Sequence, residues 1–193
     1  MPARHYGADV TARSNRARFA ALARVLTERC ALEDRVHIVR GDGLAIPAAD
    51  ASFDLVWTQA VWQSVDDMAT LTAEINRVLR PGGRLALLEV AGDGATLEYP
   101  VPWADGPGES FVICTAQLGE VLEGAGPLLE DWRIGAEAQA AVLAASENSA
   151  RMAAGLPGAG LDLLMPDYAA RWAACSQRRG RSPRARARRT ARI

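Results

Sequence analysis

Three short apolar runs punctuate the first half of the chain: Val36 to Val39, Leu55 to Trp57 and Leu85 to Val90, each followed by a polar or glycine-bearing stretch. They are rich in Val, Ile and Leu and lack polar alternation, which predicts strands buried on both faces, as in a parallel sheet. Between the second and third runs, Met68, Leu71, Ile75, Val78 and Leu79 recur at helical spacing and predict a helix over Asp66 to Leu79. Asp66 or Asp67 caps its start, and Pro81-Gly82-Gly83 stops it. Strand, helix and strand at this length form a right-handed βαβ unit. Such a unit gathers the carboxyl ends of its strands on one edge, where open α/β sheets bind ligands.

The flanking segments extend the alternation. Asp9 to Arg13 predicts a strand and Arg16 to Cys30 a helix with Phe19, Leu22 and Leu26 on one face. Residues 91 to 114 are rich in Gly and Pro, lack periodicity and carry Tyr99 and Trp103. A loop of this length in a compact domain is a candidate for function. Thr115 caps a short helix over Ala116 to Gly124, Leu128 to Ile134 reads as a later strand, and Ala136 to Ala154 and Asp167 to Cys175 read as helices.

Composition sets the class. In 193 residues, 49% apolar and 23% charged residues suit a soluble globular protein. No run approaches the ~18 apolar residues of a membrane span and Met-Pro-Ala-Arg-His is no signal sequence, so the expected location is the cytoplasm, with no membrane partner. Cys30, Cys114 and Cys175 have neither the number nor the spacing of a disulfide framework or a zinc site. No metal is expected. The net charge of −1 hides a division: residues 1–177 carry 14 Arg against 23 acids, whereas Arg178 to Arg192 carry eight Arg and no acid. With no Lys in the chain, that tail has the composition of a GC-rich gene read out of frame, and it is expected to be disordered. Electrostatic nucleic-acid binding is the alternative use of such a tail, but nucleic acid is not the expected partner.

Gly41-Asp42-Gly43 after a strand, Ser52-Phe53-Asp54 opening the next, and Val78-Leu79-Arg80-Pro81-Gly82-Gly83-Arg84-Leu85 opening the third occur in an order that resembles class I S-adenosylmethionine-dependent methyltransferases. The likeness is greatest to the ubiquinone-biosynthesis and glycine/sarcosine group and covers roughly residues 5 to 135. The resemblance implies an α/β, Rossmann-like, mostly parallel sheet with helices on both faces, and S-adenosyl-L-methionine as cofactor. It also implies a small-molecule acceptor methylated by direct displacement at the sulfonium methyl, a reaction that needs no particular catalytic acid or base. Residues 1–135 form the methyltransferase-like core, 136–176 a helical region and 177–193 the tail.

The resemblance also places the site. Asp42 would accept from the adenine amino group, with Gly41, Gly43 and Leu44 beside it and following backbone N–H groups donating to a ring nitrogen. The ribose position falls about 28 residues before Asp42, at Ser14 rather than Asp9, with a single hydroxyl where the family has an acid. Thr58 and Gln59 line the methionine end, where Trp57 or Trp62 offers a ring face to a cation. His37 receives no role.

Two parts of the family pattern are expected to be missing: the first strand with its Gly-rich turn, since Ala3-Arg4-His5-Tyr6-Gly7 matches the end of the helix after it, and the last strand, where the Arg-rich tail stands. The alternative reading is therefore a non-enzymatic fragment that folds with a partner. A nicotinamide dehydrogenase is disfavoured because no GxGxxG occurs.

Overall fold

The computed structural model describes residues 2–92, 97, 99–124, 128–134, 171 and 186–192. They divide into two compact units, Met1–Ala48 and Ala49–Ile193.

In the first unit, helix α1 (Pro2–Tyr6) ends on Gly7, whose φ of 65° and N–H bond to the Ala3 carbonyl (3.1 Å) close the helix. Strand β1 (Val10–Ser14) and strand β2 (Val36–Arg40) pair in parallel, from Val10 with Val36 to Ser14 with Arg40. Helix α2 (Ala17–Arg29) connects them. It buries Ala20 and Thr27, while Leu26 of the expected apolar face stays exposed. An open hollow of ≈ 230 Å³ lies there, lined by Ala3, Val10, Ala12, Leu26, Val36 and Ile38 among others. Asp9 precedes β1 and pairs with Arg35 at 3.5 Å on the surface.

The second unit holds the βαβ element. Strand β3 (Phe53–Gln59) leads through a short 3₁₀ turn (Trp62–Ser64) to helix α3 (Met68–Val78) and strand β4 (Leu79–Val90). Asp67 caps α3 by accepting from the Thr70 hydroxyl at 2.6 Å and from Thr70 N–H at 2.9 Å, which together hold its carboxyl below the usual range. All five predicted apolar positions, Met68, Leu71, Ile75, Val78 and Leu79, are buried. β3 and β4 run parallel from Leu55 with Arg84 to Gln59 with Leu88, and the ladder breaks between Phe53 and Leu55, where β4 accommodates Arg80 to Gly83. Gly82 has φ 78° there. A side chain at Gly83 would meet the Arg80 carbonyl at 2.8 Å, so both glycines are required by the backbone path.

Helix α4 (Thr115–Gly124) buries Leu118 and Leu122. Its cap is Cys114 rather than Thr115: Gln117 N–H donates to Cys114 Sγ at 3.4 Å, and Cys114 N–H donates to Gln117 Oε1 at 3.1 Å. The loop before it is packed. Val101 and Ala104 are buried and bridged to each other, Trp103 Nε1 donates to Ser110 Oγ at 3.0 Å, and Arg171 binds Asp105 at 2.6 Å.

Strand β5 (Leu128–Ile134) forms as expected. The C-terminus corrects the reading of a disordered tail and an absent last strand. Residues Arg186–Arg192 form strand β6, antiparallel to both β4 and β5, so the sheet order is β3-β4-β6-β5. A ladder is built from backbone N–H and carbonyl groups, so no apolar run is needed where two strand edges stand ready on either side. The expected helices over 136–154 and 167–175 lie outside the described residues, apart from Arg171, which is helical. Among the described residues, no helix is long and apolar enough to cross a membrane.

Removing residues 185–193 should leave the facing edges of β4 and β5 unpaired. Amide exchange at 84–90 and 128–134 is then expected to rise together in the truncated protein; protection unchanged at both strands would count against β6.

Candidate functional site

In the first unit the paired carboxyl ends of β1 and β2 bring together Ser14, Gly41, Asp42, Gly43 and Leu44. Gly41 N–H donates to the Ser14 carbonyl at 3.1 Å, one step beyond the last pair of the ladder. Ser14 therefore stands at the strand tip and Asp9 at the opposite end. Its hydroxyl oxygen accepts from Arg16 N–H at 3.3 Å and marks the entry to α2.

Asp42 is exposed, and its Oδ1 accepts from Leu44 N–H at 3.1 Å in a tight turn. That bond uses the Leu44 donor internally. It leaves the second carboxylate oxygen of Asp42 and the N–H of Gly43, neither of which has a partner among the described residues. Gly41 lies against the Arg13 side chain. A Cβ there would fall 2.2 Å from Arg13 Nη2, because the Arg13 guanidinium lies across it and donates to the Ala45 carbonyl at 2.8 Å. The glycine makes room for an arginine.

In the second unit Thr58 and Gln59 point apart, as adjacent strand residues must. Thr58 is only 8% exposed, and its oxygen accepts from Trp62 Nε1 at 3.0 Å. Gln59 is exposed. Trp62 is therefore core, whereas Trp57 is 53% exposed.

The sequence reading missed the centre of this arrangement. Glu89, on β4, is 1% exposed. Its Oε2 accepts from Val61 N–H at 2.7 Å and from Trp62 N–H at 3.1 Å. These bonds hold the turn after β3, in which Ala60 adopts φ 54° and donates its N–H to the Leu88 carbonyl at 2.9 Å. A left-handed Ala is unfavourable and persists where its surroundings over-determine it. The signal was present, since Glu89 is the one charged residue inside the run Leu85 to Val90.

Burial raises the Glu89 carboxyl to about 7, opposed by the bonds from Thr58, Trp62 and Val61. No metal-holding group of acids, His and Cys occurs among the described residues. His37 is exposed and Cys30 and Cys114 are free thiols.

Residues 1–87 match the family described as "Methyltransferase domain". Malonyl-[acyl-carrier protein] O-methyltransferase of Enterobacter lignolyticus is 41% identical over 71 residues, 37% of this chain and 28% of that protein. The ubiquinone/menaquinone biosynthesis C-methyltransferase UbiE of Paracoccus denitrificans is 42% identical over 69 residues, 36% of this chain and 25% of that protein. The matched stretches thus span about a quarter of each curated relative. A putative sarcosine dimethylglycine methyltransferase from Galdieria sulphuraria shares the fold with a TM-score of 0.71 at 15% identity, over 98% of this chain and 71% of its own. Residues 1–87 thus match a methyltransferase-domain family, and the fold is of the Rossmann-like α/β kind seen in methyltransferases.

The raised carboxyl fixes the sign of a pH effect. Between the unfolded value of 4.5 and the folded value of about 7, the folded chain holds a proton at Glu89 that the unfolded chain has released. The resulting stabilisation, about 3 kcal/mol, is fully present below 4.5 and is lost as pH rises to 7. Unfolding in urea should show the stability difference between wild type and Glu89→Gln moving against wild type across that window. A difference independent of pH would mean that Glu89 titrates normally.

Proposed function

We propose that this chain is a methyltransferase segment that binds S-adenosyl-L-methionine and serves methyl transfer to a small-molecule acceptor. The observation that carries the reading is the tip of β2, where Asp42 offers a carboxylate oxygen and the next residue, Gly43, an N–H, neither of which has a partner among the described residues. An acceptor beside a donor complements the amino group and adjoining ring nitrogen of adenine. When bound, the cofactor supplies an electrophilic methyl group on a sulfonium. Asp42, Gly43 and Leu44 would hold its adenine end, Leu44 indirectly by bracing the carboxylate, and Ser14 would offer the ribose one hydroxyl. Gly41 contributes by seating Arg13.

A calorimetric titration with S-adenosylhomocysteine tests the assignment. Asp42→Ala should weaken binding by about tenfold or more, since a charge-assisted hydrogen bond is lost from an exposed position that the fold does not depend on. Equal affinity in wild type and variant would remove Asp42 from the site.

A second reading is favoured by the sheet edges. Among the described residues, β1 pairs only with β2 and β3 only with β4, and Leu55 and Trp57 on β3 are 50% and 53% exposed. An unpaired apolar edge seeks another strand. On this reading the chain is a non-enzymatic segment that folds with a partner supplying that strand. Melting that becomes cooperative only at high protein concentration would favour it; a sharp, concentration-independent melt would exclude it.

A further inference from the structure

The β3–β4 tip contains two buried oxygens that accept no hydrogen bond among the described residues: Oε1 of Glu89 and Oε1 of Gln63, in residues 1% and 2% exposed. They lie on adjoining segments, since Glu89 Oε2 takes the N–H groups of Val61 and Trp62 and Gln63 is the next residue along. Buried polar atoms in native proteins are nearly always satisfied, so two buried acceptors that accept no hydrogen bond among the described residues call for an explanation. Above about pH 7, where Glu89 is ionised, both are acceptors and neither can satisfy the other. What completes them is a group that brings N–H or O–H donors.

We propose that Glu89 and Gln63 form a subsite for the hydroxyl or amino end of a small-molecule ligand, an inference that rests on the methyltransferase reading in taking this ligand to be the methyl acceptor. The position suits that role, since the subsite adjoins the carboxyl ends of parallel strands, where α/β sheets take their ligands. Its cover is a short segment of chain. Phe111 N–H donates to the Gln63 carbonyl at 2.8 Å, and Gly92 N–H donates to the Ile113 carbonyl at 3.0 Å. Residues 110–113 are therefore held to the tip by backbone bonds of the kind that loops break and remake, and Phe111 and Ile113 are only half-buried. The geometry selects for chemistry as well as size: a ligand lacking a donor would leave both oxygens as they are, whereas a hydroxyl or amine satisfies them. Discrimination of this kind is stronger than a methylene's worth of apolar fit.

The test uses three small molecules of one shape, phenol, aniline and toluene, which differ in whether they carry a donor. Each is titrated into the ¹⁵N-labelled full chain while the amide signals of Val61, Trp62 and Gln63 are followed. Phenol and aniline are expected to shift these signals with saturation, and toluene at the same concentration is not. Glu89→Gln and Gln63→Met should each weaken the phenol response by about tenfold, the equivalent of one hydrogen bond. The Met variant keeps the volume of the side chain, so it reports on the subsite if the Glu89 variant fails to fold. Toluene binding as well as phenol, no response to phenol or aniline, or unchanged phenol affinity in the folded variants would each overturn the subsite. A parallel titration with S-adenosylhomocysteine separates the two ideas. Cofactor binding without a phenol or aniline response sinks the subsite alone, and a donor-selective response without cofactor binding keeps the subsite and sinks the methyltransferase reading.

Discussion

The parallel ladder between β3 and β4 is the interaction on which the larger unit depends. Parallel strands cannot be joined by a tight turn, so the ladder forces the intervening chain to cross back over the sheet, and α3 is that crossing. Its buried stripe from Met68 to Leu79 seals the sheet. The same ladder puts Gln59 opposite Leu88, so the chain that leaves β3 emerges beside the last turn of β4. The N–H groups of Ala60, Val61 and Trp62 then find partners as the chain passes from the surface into the core, in the Leu88 carbonyl and the Glu89 carboxyl. Each step follows from the obligation to satisfy the backbone.

That obligation explains why a carboxyl is buried at all. An apolar residue at position 89 would suit the strand but would strand two N–H groups, and a buried donor without an acceptor is expensive. A carboxylate serves both through one oxygen, at the cost of its own desolvation, and the carboxyl responds by holding its proton up to about 7. The oxygen left over gives this tip its capacity for a ligand. In the smaller unit the comparable economy is at Asp42, where one oxygen braces Leu44 and the other stays available.

Much of the architecture was legible before any coordinates. Periodicity located α3 to within two residues at its start and one at its end, the motif residues located the tips of β1 and β2, and spacing preferred Ser14 over Asp9 for the strand end. These are local properties, carried by propensity, apolar period and turn chemistry. Where the reading failed, the cause was non-local. Phe19, Leu22 and Leu26 have helical spacing, but which face of α2 is covered depends on where β1 and β2 lie, and Leu26 ends exposed. Cys114 caps α4 ahead of Thr115 because the side chain of Gln117 folds back to meet it. The Arg-rich tail has no strand pattern, but the open edges of β4 and β5 pair with its backbone regardless of side chain.

The amino-acid sequence by itself determined the class of fold, the order of its strands and helices from β1 to β5, and the family to which its motifs point, because each is written in contiguous residues. Only the tertiary structure decided which partners the individual candidate residues meet. Thr58, Trp62 and Glu89 are separated by up to 31 positions and meet through a ladder that no local pattern specifies. Whether a carboxyl lies in water, as at Asp42, or out of it, as at Glu89, is settled by what packs around it, and that sets both its affinity for a proton and its freedom to take a ligand.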